Sequence, residues 1–292
     1  MNWVTLALMS AFFLASADAV TKRYLSKSRA SEIILVRFGL SGLLLLPILL
    51  MQDWPRLNWV FWGWMAALIP LEIIAMLLYI RAITRSPLAL TLPYLSFTPV
   101  FNTLTGYLIL GETVSFSGFM GVMMIVSGAW LLNLDRSGHQ SWGKLWEPFR
   151  AISRQSGARI MLLVAAIYSL TSVMGKAAML SAESVSPEFF GPFYFVTLGA
   201  ATTVLFLVKD RSTFVIAKRF PWVNVLLGLL MAGMVVSHFY ALQGTQVAYM
   251  IAVKRMSLLF GILYGAYLFK EKGLRKNLFA GVLMVLGIYL IV

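Results

Sequence analysis

Ten stretches of this chain, each about 20 residues long, are almost free of charge. A helix rises 1.5 Å per residue, so about 20 apolar residues cross a hydrocarbon core of about 30 Å. The stretches fall at 2–21, 31–51, 57–80, 87–110 and 115–134, then at 158–179, 187–208, 221–243, 247–269 and 274–292. They leave little of the 292 residues for connections. Charged residues are 12% of the chain, against about 25% in soluble domains, too few to cover a soluble surface. The expectation is an all-α integral membrane protein with ten transmembrane helices.

The first stretch resembles a secretory signal, because Ala17-Asp18-Ala19 imitates a cleavage site. Met1-Asn2-Trp3 supplies no basic leader, and a counterpart recurs later in the chain, so it reads as a retained helix. Of the 24 Lys and Arg, 19 lie in or beside the connections after odd-numbered stretches, and Arg56 alone follows an even one. The positive-inside rule then puts the odd connections in the cytoplasm and both termini outside, in a multi-pass protein of the bacterial plasma membrane. The net charge of +13 therefore points to no nucleic-acid partner; its partner is the lipid bilayer.

The longest connection, 135–157, divides the chain into five-helix units at 1–134 and 158–292 and reads as a cytoplasmic linker. Within it Trp142, Leu145, Trp146 and Phe149 form a short apolar face suited to the headgroup layer.

The two units repeat a pattern. Gly106 precedes Glu112 by six residues and Gly128 follows it by sixteen; Gly265, Glu271 and Gly287 repeat both spacings. Lys22 matches Lys176, and Tyr79 matches Tyr240, in the same order. Five crossings is an odd number, so the second unit enters from the opposite side. The result is a 5+5 inverted repeat, an architecture that secondary transporters use around a midplane site.

These residues resemble the drug/metabolite transporters with two EamA-type domains. The resemblance rests on Ser86-Pro87, Leu110-Gly111-Glu112, Gly118, Gly121 and Gly128, and on Phe269-Lys270-Glu271, Gly281 and Gly287. It implies transport of a small metabolite and leaves the substrate class open. Glu112 and Glu271 sit in tight connections, where each carboxylate can accept backbone N–H groups at the following helix start. The glycines allow close helix packing.

Ionisable residues inside a span are costly and mark a pathway or a buried pair. Here they are Asp18, Arg37, Glu72, Lys176, Lys254 and Arg255, with His238. Arg37 and Glu72 lie at similar depth, which suggests a pair: a structural lock, or with Asp18 a gating or proton-coupling group. Asp18 and Lys22, four apart, can pair instead.

Lys254 and Arg255 are adjacent near the middle of span 9, with no acidic residue close in sequence. Surplus cations in a cavity favour an anionic or zwitterionic cargo. Tyr249 and His238 join them as candidate substrate-binding residues, with Asn102 and Tyr94 from span 4, which Pro87, Pro93 and Pro99 break. Val253-Lys254-Arg255 also resembles the Lys-Arg pair with which triose-phosphate translocators hold phosphate. Residues 87–110 carry no Lys or Arg to complete that pattern, so a carboxylate or sulfonate fits better than phosphate.

The function expected is a secondary-active permease working by alternating access, not an enzyme. A flippase for a lipid-linked substrate is the alternative, and an intramembrane enzyme on an anionic lipid a weaker one. No P-loop is present, so protons or a counter-substrate would drive transport. No Cys is present and the two His are far apart, so no cofactor or metal site is expected.

Overall fold

The computed structural model describes residues 2–85, 92–135, 156–182, 185–268 and 278–292. The linker face at 142–149, Ser86-Pro87, Lys270 and Glu271 lie outside the described residues. The described residues are overwhelmingly helical and contain no strand.

The helices are α1 (Trp3–Tyr24), α2 (Ala30–Leu50), α3 (Trp59–Arg85), α4 (Thr98–Leu110), α5 (Phe116–Asp135), α6 (Ser156–Leu180), α7 (Pro187–Lys209), α8 (Pro221–Gln243), α9 (Val247–Leu268) and α10 (Leu278–Ile291). Among the described residues seven are long and apolar enough to cross a membrane: α1 to α3 and α6 to α9. The expectation for span 4 is met in shortened form: Leu92–Phe97, with Pro93, is a tight 3-10 turn that leads into the 13 residues of α4. Leu43, Leu108, Val204, Leu229 and Val285 are exposed on the outside, as lipid rather than water requires.

Helix ends follow local chemistry. The Asn2 side chain accepts from the Val4 N–H and Ser186 from the Phe189 N–H, capping α1 and α7. Lys22 and Arg23 close α1, where positive charge suits the helix dipole. At the start of α2, the Arg29 N–H donates to Glu32 Oε2 at 2.8 Å. Gly111 ends α4 with φ +69°, the left-handed turn that glycine adopts without strain. The Gly111 N–H donates to the Tyr107 carbonyl, the single bond of an αL cap, and the Glu112 N–H to the Gly106 carbonyl.

Two antiparallel helix pairs lie on the symmetry axis of the fold. A Cβ on Gly42 would sit 2.6 Å from the Phe195 carbonyl, and one on Gly199 would sit 2.6 Å from that of Phe38. On α5 and α10, a Cβ on Gly287 would sit 2.6 Å from the Gly121 carbonyl, and one on Gly128 would sit 2.7 Å from that of Ala280. Numbers rise on one helix as they fall on its partner, so both pairs are antiparallel. Shifting by 159 residues turns the contact of Gly128 with Ala280 into that of Gly287 with Gly121. The Gly106–Gly265 match has the same 159-residue offset.

Other packing partners exchange in the same way. Helix α1 packs on α8 as α6 packs on α3, and α1 packs on α9 as α6 packs on α4. The connections segregate by end. Arg29, after α1, pairs with Asp210, after α7, at 2.9 Å. Asn58, after α2, donates to the Ser181 carbonyl after α6 at 2.6 Å. The connections after α1 and α7 therefore share one end of the bundle, the odd end, and those after α2 and α6 the other, the even end. At the odd end Asp210 also accepts from Ser212, and this bond, followed by the nearby Arg29 guanidinium, holds its carboxyl below the ordinary range.

Candidate functional site

Helix α9 breaks at Lys254-Arg255. Here Arg255 N–H turns to the Ala252 carbonyl at 3.0 Å and Met256 N–H to Val253 at 2.9 Å, three residues back instead of four. Leu258 and Leu259 N–H bond three back in the same way as α9 resumes from Ser257. Irregular backbone at mid-membrane depth is tolerated where protein or a polar cavity surrounds it.

Lys254 reaches α8. Its Nζ lies 3.1 Å from Nδ1 of His238 and 3.3 Å from the sulfur of Met234. His238 and Met234 are four apart and share one helix face. An ammonium can only donate, so with Lys254 charged Nδ1 accepts and the imidazole is neutral with its proton on Nε2. Arg255 is in electrostatic range of Tyr168 of α6, and its buried Nε has no hydrogen-bond partner among the described residues. Neither cation lies within 4.0 Å of a carboxylate among the described residues.

Glu72, on α3, supplies the opposite charge. It faces the hydroxyls of Thr171 on α6 and Tyr194 on α7, with Lys254 in electrostatic range. No cation lies within 4.0 Å of it among the described residues. Glu72, Tyr168, His238, Lys254 and Arg255 all keep part of their surface accessible although they sit at mid-span. The structure thus brings Lys254, Arg255, His238 and Glu72 together and adds Tyr168, Thr171, Tyr194 and Met234. Tyr194 occupies in α7 the place of Arg37 in α2, 157 residues apart as Gly42 and Gly199 are. An alignment of the halves carries that signal.

One expected pairing is not formed. Arg37 does not pair with Glu72: its guanidinium donates to Asp18 Oδ1 at 2.5 Å and to the Thr21 hydroxyl at 3.0 Å. Depth matched, but α3 packs mainly on α6 whereas α2 packs on α7 and α8, and Arg37 is taken up by Asp18 while both Arg37 and Glu72 stay in electrostatic range of Tyr168. Arg37 also sits within a turn of π-helix, Leu35–Leu40. Asp18, 57% exposed, stands at the open odd end rather than beside the cations.

Tyr249 lies apart from the cations. It is buried with its ring on Gly118, and its hydroxyl accepts from the Ser115 N–H at 3.0 Å. Tyr94 is fully buried, edge-to-face against Trp130. Asn102 is buried and accepts from the Ser172 hydroxyl at 3.0 Å, tying α4 to α6. All three are packed into helix contacts, with the buried Nδ2 of Asn102 lacking a hydrogen-bond partner among the described residues.

Lys176, counted among the surplus cations, is already paired. Its Nζ lies 2.6 Å from Glu112 Oε1 and 2.6 Å from the Thr245 carbonyl. Glu112 Oε2 accepts the Val247 N–H at 2.8 Å, so this carboxylate caps α9 of the other half and not the following helix α5. The cause is the turn at Gly111, which folds the carboxylate back over Gly106, where a Cβ would stand 3.1 Å from Oε2.

The EamA-like transporter family matches this chain twice, over residues 1–134 and 155–292. The chain belongs to that family. It is a multi-pass integral membrane transporter built from an EamA repeat in two copies. No curated protein matches it. A solved structure described only as a crystal structure of a protein matches with TM-score 0.70 and 15% identity, over 99% of this chain and 94% of its own. At that identity the likeness shows the fold alone. In EamA terms, the α5–α10 glycines are contacts between repeats, as are Glu112 and Lys176.

Proposed function

We propose that this EamA protein is a secondary-active permease for a small organic metabolite with an anionic or zwitterionic end, which Lys254 and Arg255 hold. The observation that carries the reading is the α9 break, where two adjacent cations stand at mid-span with no carboxylate in ion-pair range among the described residues. Unpaired charges at that depth are costly, and an anionic ligand offsets the cost. Arg255 offers a planar fork and Lys254 a point charge that His238 steadies.

Ten crossings in two inverted units, 1–134 and 158–292 around a cytoplasmic linker, accommodate alternating access by rocking one unit against the other. Charge asymmetry supports a cytoplasmic odd end, with the termini outside. Asp18 is 57% exposed at the odd end, whereas Glu112 is 14% exposed at the even end. This contrast supports a conformer open to the cytoplasm and sealed outside by Glu112 and Lys176. A gradient of solute, counter-substrate or protons drives the cycle.

The test is counterflow into proteoliposomes with radiolabelled small carboxylates. Wild-type protein should show saturable uptake. Lys254→Met and Arg255→Gln should lose it while inserting and melting normally. Uptake at the wild-type rate in both variants would contradict the role of the two cations.

A further inference from the structure

The odd end of the bundle carries a patch of positive charge away from the mid-span cations. Residues 22–32 and 209–222 hold eight Lys and Arg against two carboxylates, Glu32 and Asp210. The two segments meet in space, although one belongs to each repeat. Arg29 Nη1 lies 2.9 Å from Asp210 Oδ2 and 2.9 Å from the Ser212 hydroxyl, and the Thr213 hydroxyl reaches that of Ser31 at 3.4 Å. The rings of Tyr24, closing α1, and Trp222, opening α8, stand edge to face with centroids 4.8 Å apart. Arg29 also takes Glu32 at 3.3 Å, so one guanidinium engages both carboxylates. Arg23, Lys27, Lys209, Arg211, Lys218 and Arg219 are exposed around these contacts. None of the six has a carboxylate within 4.0 Å among the described residues.

Apolar surface borders the charge. Between α7 and α8 the chain makes a 3-10 turn, Arg211–Val215, and one helical turn, Ile216–Arg219. Thr213 and Ile216 are buried against the bundle, whereas Val215, Lys218 and Arg219 are exposed. Val208, Trp222 and Tyr24 are exposed beside them. Such rings and cations at the ends of spanning helices suit the headgroup layer, where rings meet acyl chains and cations meet phosphate. A soluble anion would use the cations and leave the rings without a role.

We propose that this surface binds an acidic phospholipid, with its phosphate among the six cations and its acyl chains along Tyr24, Trp222 and Val208. The lipid bridges the two repeats beside the ion pair of Arg29 and Asp210, and its binding does not depend on the cargo. Each Lys or Arg near an anionic membrane surface strengthens association about fivefold. Removing four should therefore cost at least about tenfold in affinity.

The experiment combines native mass spectrometry with thermal unfolding of the full-length protein in a neutral detergent. Phosphatidylglycerol, phosphatidylcholine or glycerol 3-phosphate is added to each sample. Phosphatidylglycerol should bind at least tenfold more tightly than phosphatidylcholine and raise the melting temperature; glycerol 3-phosphate at the same concentration should do neither. The combined variant Arg23→Gln, Lys27→Gln, Lys218→Gln and Arg219→Gln should lose at least tenfold in affinity for phosphatidylglycerol. Trp222→Ala should weaken that binding too, and Arg56→Gln, far along the chain from the patch, should keep it. Equal affinity for the two lipids, or undiminished binding in the fourfold variant, overturns the proposal. So does equal stabilisation by glycerol 3-phosphate, which would make the patch a site for a free anion. Should the fourfold variant fail to fold, wild type at about 1 M salt decides, because the Debye length there is only about 3 Å. The preference for phosphatidylglycerol should then vanish, and a preference that survives overturns the proposal.

Discussion

The Arg37 guanidinium donates to Asp18 at 2.5 Å, and this pairing on α1 and α2 leaves Glu72 on α3 without a cation in ion-pair range among the described residues. The two carboxylates therefore differ in kind: Asp18 is half exposed at the odd end, while Glu72 stands at mid-span beside Thr171 and Tyr194.

A double-mutant cycle separates these roles. Asp18→Asn and Arg37→Gln should couple measurably in thermal unfolding. Because Asp18 is 57% exposed, the coupling should stay below about 1 kcal/mol. Glu72→Gln and Arg37→Gln should add within about 0.5 kcal/mol. Strong coupling of Arg37 to Glu72 would instead favour a lock between them.

The pair of Glu112 and Lys176 should matter far more for stability. Their side chains are only 14% and 9% exposed, and both also bond the backbone of the α8–α9 turn. Removing one partner strands a buried charge, at a cost of about 3–5 kcal/mol. Lys176→Met should lower the melting temperature markedly, and adding Glu112→Gln should recover part of the loss. An unchanged melting temperature in Lys176→Met would exclude a clasp between the halves.

Glycine substitutions test the symmetry axis. Gly287→Ala and Gly42→Ala each place a Cβ 2.6 Å from a carbonyl oxygen of the facing helix. Forcing the helices apart should cost about 1–3 kcal/mol. Gly63, with nothing within 4 Å of its would-be Cβ, is the control, and Gly63→Ala should leave stability unchanged. Equal effects at all three would show that neither α2 with α7 nor α5 with α10 is so closely packed.

Orientation is open to direct labelling because the chain has no cysteine. Ser26→Cys lies in the exposed turn between α1 and α2, and Asp53→Cys in the exposed turn between α2 and α3. A membrane-impermeant maleimide added to intact cells should label Asp53→Cys and spare Ser26→Cys. The reverse pattern would place the odd end outside.

Much of this architecture is readable from residue order, for physical reasons. Apolar length marks the spans, and the glycines carry the repeat because the same helix contact is made twice, by Gly128 and by Gly287. The adjacent Lys254 and Arg255 announce themselves by their depth. What stays hidden is rotation about each helix axis. Depth puts Arg37 and Glu72 at one level, yet packing sends Arg37 to Asp18. Tyr249, Asn102 and Tyr94 have the side chains of a polar site, but their neighbours make them helix contacts. Tyr168 and Thr171 look like ordinary span residues, and only the packing of α6 on α3 turns Thr171 toward Glu72.

The most direct test of the account is ligand-induced stabilisation of purified wild-type protein and of Lys254→Met, with a panel of anionic, zwitterionic and cationic metabolites. A ligand at 100 times its dissociation constant adds about 2.7 kcal/mol, a clear rise in melting temperature. The account predicts stabilisation of wild type by carboxylate-bearing compounds, and its loss in the variant. Stabilisation by cationic or uncharged compounds alone, equal in both proteins, would contradict it.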